Sequence, residues 1–87
     1  MADDPDRCVV LCESVHDVMA LERALKDAGI AVEMIPTPRE LTSDCGMALE
    51  ISAADAGRLP GLRDNRPVAW LGVYLRHGDS YRPFDEP

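Results

Sequence analysis

The run Arg7-Cys8-Val9-Val10-Leu11-Cys12-Glu13-Ser14-Val15-His16-Asp17-Val18 decides the fold, because its hydrophobic period changes in the middle. Residues 7–13 form a short apolar stretch with β-branched side chains, the pattern of a buried central strand. On a strand the side chains alternate, so Cys8, Val10 and Cys12 share one face while Val9 and Leu11 share the other. From Ser14 onward the period becomes helical. Ser14 is placed to cap, and Asp17 three residues later completes an acidic version of the capping box. Val18, Leu21, Leu25 and Ala28 then recur at three- and four-residue steps, an apolar stripe that Val15 and Met19 widen. Glu22 and Lys26 stand in the favourable (i, i+4) order, and Gly29 is the expected stop.

Working outward, residues 30–35 alternate as a second strand with one wetter face. Residues 36–44 read as a loop with room for one helical turn after Pro38. Residues 45–52 read as a third strand, with Met47, Leu49 and Ile51 on the face of Cys45. Ser52 and Asp55 repeat the cap signature, starting a second helix at Ala53 that Gly57 weakens and Pro60-Gly61 ends or kinks. After a turn at 63–67, residues 68–76 give the last strand, with Trp70 and Tyr74 at equal parity as core or assembly surface. Residues 1–6 are expected to be a flexible acidic tail, 7–76 a single domain, and 77–87 a polar C-terminal tail. The order strand, helix, strand, strand, helix, strand predicts an α+β fold. Its simplest form is the ferredoxin-like βαββαβ sandwich, a four-stranded antiparallel sheet with two helices on one face. A right-handed crossover then leaves a slot that strand three fills, beside strand one and antiparallel to it.

At 87 residues the chain is near the small end of what folds unaided, and 46% hydrophobic content supports one modest core. The net charge of −7 is concentrated at the ends, since residues 7–78 hold 10 acids against 8 bases. A body so nearly balanced has no basic surface for phosphates, so nucleic acid is not an expected partner. The sequence has no apolar run of about 18 residues, so no membrane span is expected. An acidic N-terminus without an apolar stretch gives no export signal. Three cysteines at scattered spacings do not make a secreted disulfide framework, which points to the reducing cytoplasm.

The most irregular stretch lies between regular neighbours: Ile35-Pro36-Thr37-Pro38-Arg39-Glu40-Leu41-Thr42-Ser43-Asp44-Cys45-Gly46. Loops on a rigid scaffold carry chemistry, and a thiol there can attack, carry sulfur or bind a soft metal. If strand three pairs with strand one, Cys45 comes beside Cys12, Glu13, Ser14 and His16, because neighbouring strands lie about 4.8 Å apart. The start of the first helix, with its free N–H groups and positive dipole end, favours a thiolate and a small anion. Each residue also has a plainer reading. Cys45 can be a buried core thiol, and Gly46 can serve a bulge or leave room for an extra sulfur atom. Cys8 and Cys12 can be core packing, with Cys12 alternatively a resolving thiol opposite Cys45. The spacing Cys8-x3-Cys12-x3-His16 imitates a metal series, but the switch from strand to helix at Ser14 breaks its period. A soft-metal site of Cys12, His16 and Cys45 is the remaining metal reading; no metal and no cofactor are expected. Arg39 is a solvated charge or an anion and partner contact, Ser14 a helix cap, and His16 a surface residue or a proton donor and acceptor. The chain has no nucleotide loop, no paired acid–base carboxylates and no nucleophile triad, so it does not read as an enzyme.

Ser14-x-His16-Asp17, the run 35–40 and Ser43-x-Cys45-Gly46-x-Ala48, with Glu22, resemble the putative selenium/sulfur carrier protein-like family over roughly residues 9–73. The resemblance implies a ferredoxin-like domain whose key cysteine is Cys45, carrying sulfur or selenium as a persulfide or selenopersulfide. Around it, Arg39, Ser14, His16, Gly46 and Ser43 become the candidates for holding the anion or a partner. The implied partners are a sulfur- or selenium-donor enzyme and an acceptor protein, with a homo-oligomer as a further assembly. Cys8, Cys12, the Pro60-Gly61 break and the segment after His77 fall outside the shared pattern. Two alternatives stay open: an interaction or oligomerisation module with a structural cysteine, and a small thiolate metal-binding protein.

Overall fold

β1 (Arg7–Leu11) runs straight into α1 (Val15–Asp27), as the change of period requires. The remaining elements are β2 (Glu33–Pro36), β3 (Met47–Ser52), α2 (Ala53–Ala56), α3 (Leu59–Asn65), β4 (Gly72–His77) and β5 (Ser80–Pro83). The computed structural model describes residues 6–41, 46–78 and 80–84. The strands form one antiparallel sheet in the order β2-β3-β1-β4-β5, with β1 at its centre. β3 lies beside β1 in the register Arg7↔Ser52 to Leu11↔Ala48, and β4 flanks β1 on the other side, from Cys8↔Leu75 to Leu11↔Gly72.

The alternation along β1 separates two cores. Cys8, Val10 and Cys12 join Leu49 and Ile51 of β3 beneath Val18, Leu21 and Leu25 of α1 and Ala56 and Leu59 of the second helical region. The helical layer therefore covers one face. Full burial of each such leucine contributes about 1.5–3 kcal/mol relative to exposure. Val9, Leu11 and Ala48 face the other way and are roofed by Ile35, Leu41, Tyr74 and Tyr81. At the centre of that face Glu50, 9% exposed, lies between Arg7 and Arg76, each 3.4 Å from a carboxylate oxygen.

The α+β class stands as the sequence predicts, and four details are corrected. The sheet has five strands rather than four, because the chain turns at Gly78 (φ +63°) and lays Ser80–Pro83 against β4 in the register Tyr74↔Pro83 to His77↔Ser80. That strand occupies part of the expected C-terminal tail. The second helix is two short pieces: Pro60 sits in the first turn of α3, where a missing N–H costs nothing, so it opens a helix instead of ending one. β2 begins at Glu33 and not at Ile30. Gly29 adopts φ +79° and donates its N–H to Lys26 O, while Ile30 N–H donates to Leu25 O at 2.9 Å. This Schellman closure uses the Ile30 amide and buries its side chain against the helix it terminates. Finally, β4 begins at Gly72, so Trp70 precedes the strand, packs on the helical side and stacks under the Arg63 guanidinium at 3.9 Å. Tyr74 belongs to the opposite face. Among the described residues no helix is long and apolar enough to cross a membrane.

Candidate functional site

The C-terminal end of β1, the first turn of α1, the N-terminal end of β3 and the start of β4 meet at one end of the sheet. The last rungs there are Leu11↔Ala48 on one side of β1 and Leu11↔Gly72 on the other. Beyond them Leu71 N–H donates to Leu11 O at 2.7 Å. On the outer edge β2 pairs as far as Pro36↔Met47, and Thr37 N–H donates to Gly46 O at 3.0 Å. That bond closes the base of the segment 37–46. Within it Leu41 N–H donates to Pro38 O at 3.0 Å, the single turn expected after Pro38. Leu41 then packs on the face of Val9, Leu11 and Ala48, tying the segment to the sheet.

Ser14 is the N-cap of α1, with extended backbone (φ −143°, ψ 165°) and an Oγ that accepts from Asp17 N–H at 3.3 Å. As an acceptor it still has its hydroxyl proton to give. The N–H groups of the first turn are those that any helix leaves unmatched, and they carry the positive end of its dipole. His16 is exposed in that turn, and Glu13 just before the cap is exposed to water. Arg39 is exposed at the turn of the 37–46 segment, with no ion pair to an acid among the described residues. Gly46 is exposed, and a Cβ built on it meets nothing within 4 Å among the described residues, so their packing does not demand a glycine there.

Cys45 and Ser43 lie outside the described residues. Ser14, His16 and Gly46 are gathered at the same sheet end, and Arg39 lies in the segment whose base that end closes. Cys12, by contrast, has no solvent exposure and belongs to the apolar cluster under α1. Cys8 is equally buried; burial, with the Asp6 carboxylate as the second cause, pushes its thiol from 9.0 up to about 11. Cys8 is therefore a neutral core thiol at ordinary pH. The metal reading cannot be assembled from described residues, since its third ligand is Cys45.

Sequence reasoning missed one feature of this end. Val15 and Met19 do not widen the buried stripe; both are exposed. The signal was present, because the column they start continues into Glu22, Arg23 and Lys26, which belong in water.

A family model described as "Putative Se/S carrier protein-like" matches residues 7–75, which takes in β1 through most of β4 and the Cys45-Gly46 pair. Neither the curated proteins nor the solved structures give a match to the chain.

Proposed function

The chain belongs to the Putative Se/S carrier protein-like family, and from that premise we propose that it is a non-enzymatic cytoplasmic carrier in which Cys45 holds a sulfane sulfur or a selenium atom. The observation that carries this reading is the family match spanning Cys45-Gly46, taken with the closure of the 37–46 segment at the α1 end of the sheet.

In the loading step the Cys45 thiolate attacks the terminal sulfur of a donor persulfide, R–S–SH. A new S–S bond forms to Cys45, the donor's S–S bond breaks, and the donor leaves as the thiolate R–S⁻. The electron count of the protein plus donor is unchanged, so no external oxidant enters. Delivery repeats the exchange with an acceptor thiolate, and a selenopersulfide follows the same path. The terminal atom is anionic near neutral pH, and the groups that suit it are the first-turn amides of α1, the Ser14 and Ser43 hydroxyls and the Arg39 guanidinium. His16 serves as the proton relay to the thiol, and Gly46 leaves space for the added atom. Cys12, as resolving thiol, would attack the inner sulfur of the Cys45 persulfide, form a Cys12–Cys45 disulfide and expel the terminal atom as sulfide or selenide (HS⁻ or HSe⁻). With no solvent contact, that attack waits on local opening of the β1–α1 junction.

The test is intact mass after incubation with a small persulfide donor, for wild type and Cys45→Ser. A gain of one sulfur in the wild type that the variant loses is the expected result. An unmodified wild type removes the carrier reading.

A further inference from the structure

Among the described residues three large apolar side chains are exposed. They are Val15, Met19 and Leu71, at 50%, 58% and 59% exposure. Val15 opens α1, and Met19 stands four residues on, along the same face. Leu71 is held by its N–H to Leu11 O, at the end of β1 that leads into α1. Single exposed apolar residues scattered over a surface need no explanation. Here Val15 and Leu71 both flank the C-terminal end of β1, and Met19 extends the column of Val15 along α1.

From Met19 a groove of about 610 Å³ continues along α1, walled on its far side by Arg66 and Pro67 with Val68 beneath. It follows α1 from Met19 to Asp27, about 12 Å at 1.5 Å per residue, or a little over two turns. Its charges are not balanced. Lys26 takes Glu22 at 3.4 Å and Arg66 takes Asp27 at 2.7 Å, which leaves Arg23 with no acid among the described residues. On a chain of net charge −7 this groove keeps one uncompensated cation. A trough with apolar lining and a spare guanidinium on its rim complements an apolar ridge that carries a carboxylate.

We propose that Val15, Met19 and Leu71, continued by the α1 groove, dock an amphipathic helix of a partner protein. One face of that helix is apolar, and its flank supplies a carboxylate to Arg23. Helix-in-groove binding fits a trough that follows α1 for a little over two turns, and a flexible methionine at its mouth adapts to more than one apolar anchor. A carrier meets a donor and an acceptor in turn, so one adaptable surface serves both. That identity of the partners rests on the carrier reading; the groove and its charge do not.

The probe is a synthetic helical peptide with leucines along one face and glutamates on the flank, compared with a counterpart in which lysines replace the glutamates. Binding to the full chain is read by the fluorescence of Trp70, two residues from Val68, and by amide shift changes. The acidic peptide is expected to bind saturably and to shift Met19, Arg23 and Val68. Arg23→Glu should weaken it at least tenfold and favour the lysine peptide, while Met19→Asp should weaken both; each side chain is exposed, so folding is spared. Equal binding of both peptides, no saturable binding, or shifts centred on Tyr74 of the opposite face would overturn the proposal. No thiol takes part in this assay. A failure here therefore leaves sulfur loading on Cys45 untouched, and a failure of loading leaves the groove standing.

Discussion

Alkylation in the native state should sort the three cysteines into two classes. At about pH 8 an ordinary thiol near 9.0 is roughly one-tenth thiolate, whereas Cys8 at about 11 is roughly one-thousandth, a hundredfold handicap from ionisation alone. Both Cys8 and Cys12 also have 0% exposure, so reagent reaches them only when the sheet–helix core opens. A local opening free energy of about 3 kcal/mol slows both by a factor of about 150 relative to the unfolded chain. For Cys8 the raised pKa closes the remaining route, reaction without opening, and does not multiply that factor, because an opened thiol ionises normally. The assay is a pulse of iodoacetamide, then quenching, unfolding and a second, isotopically distinct label, then trypsin. Cleavage after arginine puts Cys8 and Cys12 on peptide 8–23 and Cys45 on peptide 40–58, so each class is read separately. Peptide 8–23 should carry almost only the second label. If it takes the first label within tenfold of the unfolded rate, the core placement of these thiols is wrong. On the carrier proposal, peptide 40–58 takes the first label at or above the unfolded rate.

Alkali should weaken the fold through Cys8. Its folded pKa is raised above the unfolded value, so the stability it contributes is complete below about pH 9 and lost as the pH climbs to about 11, at about 3 kcal/mol in all. Urea unfolding of wild type and Cys8→Ala across that window should show the difference in stability shrinking by that amount; a constant difference contradicts it. The Arg7–Glu50–Arg76 cluster should respond asymmetrically. Glu50→Gln costs about 1 kcal/mol, since the guanidiniums are 35% and 50% exposed and turn to water. Arg7→Met with Arg76→Met strands a carboxylate side chain only 11% exposed and costs about 3 kcal/mol; the reverse order in urea unfolding would refute the burial argument. Gly29→Ala meets no atom within 4 Å, so its cost is the positive φ alone, about 1–2 kcal/mol. A loss well above that in thermal unfolding means that a close neighbour has been overlooked.

Where local pattern and tertiary packing agree, the residues announced their structure. The parity of Cys8-Val9-Val10-Leu11-Cys12 divides the two cores correctly, and the Ser14 cap and Gly29 stop bound α1 to within a residue. Reading failed where a backbone bond overrode side-chain alternation. Ile30 looks like the first residue of a strand, but its amide is taken by Leu25 O, and nothing in its side chain reveals that. Trp70 shares strand parity with Tyr74, yet the chain enters β4 only at Gly72. A Cβ on Gly72 would stand 3.0 Å from the Tyr74 ring, so the ring lies back over the glycine and not beside Trp70. Ser80-Tyr81-Arg82-Pro83 is too polar to read as a strand alone; it forms because β4 offers an unpaired edge after the Gly78 turn. Of the candidate site, the meeting of the α1 start and the β3 start at one end of the sheet was legible, since it follows from strand order. The exposure of Val15 and Met19 was legible too, in the charged Glu22, Arg23 and Lys26 that continue their column, but counting apolar spacing alone assigns both to the buried stripe.

The most direct measurement locates the cargo by peptide. The full chain is exposed to a persulfide donor, its persulfides are trapped by alkylation, and the tryptic peptides are weighed. One extra sulfur on peptide 40–58, and none on 8–23, is the predicted result. Extra sulfur on 8–23, or on neither peptide, contradicts the assignment of the carrying thiol to Cys45.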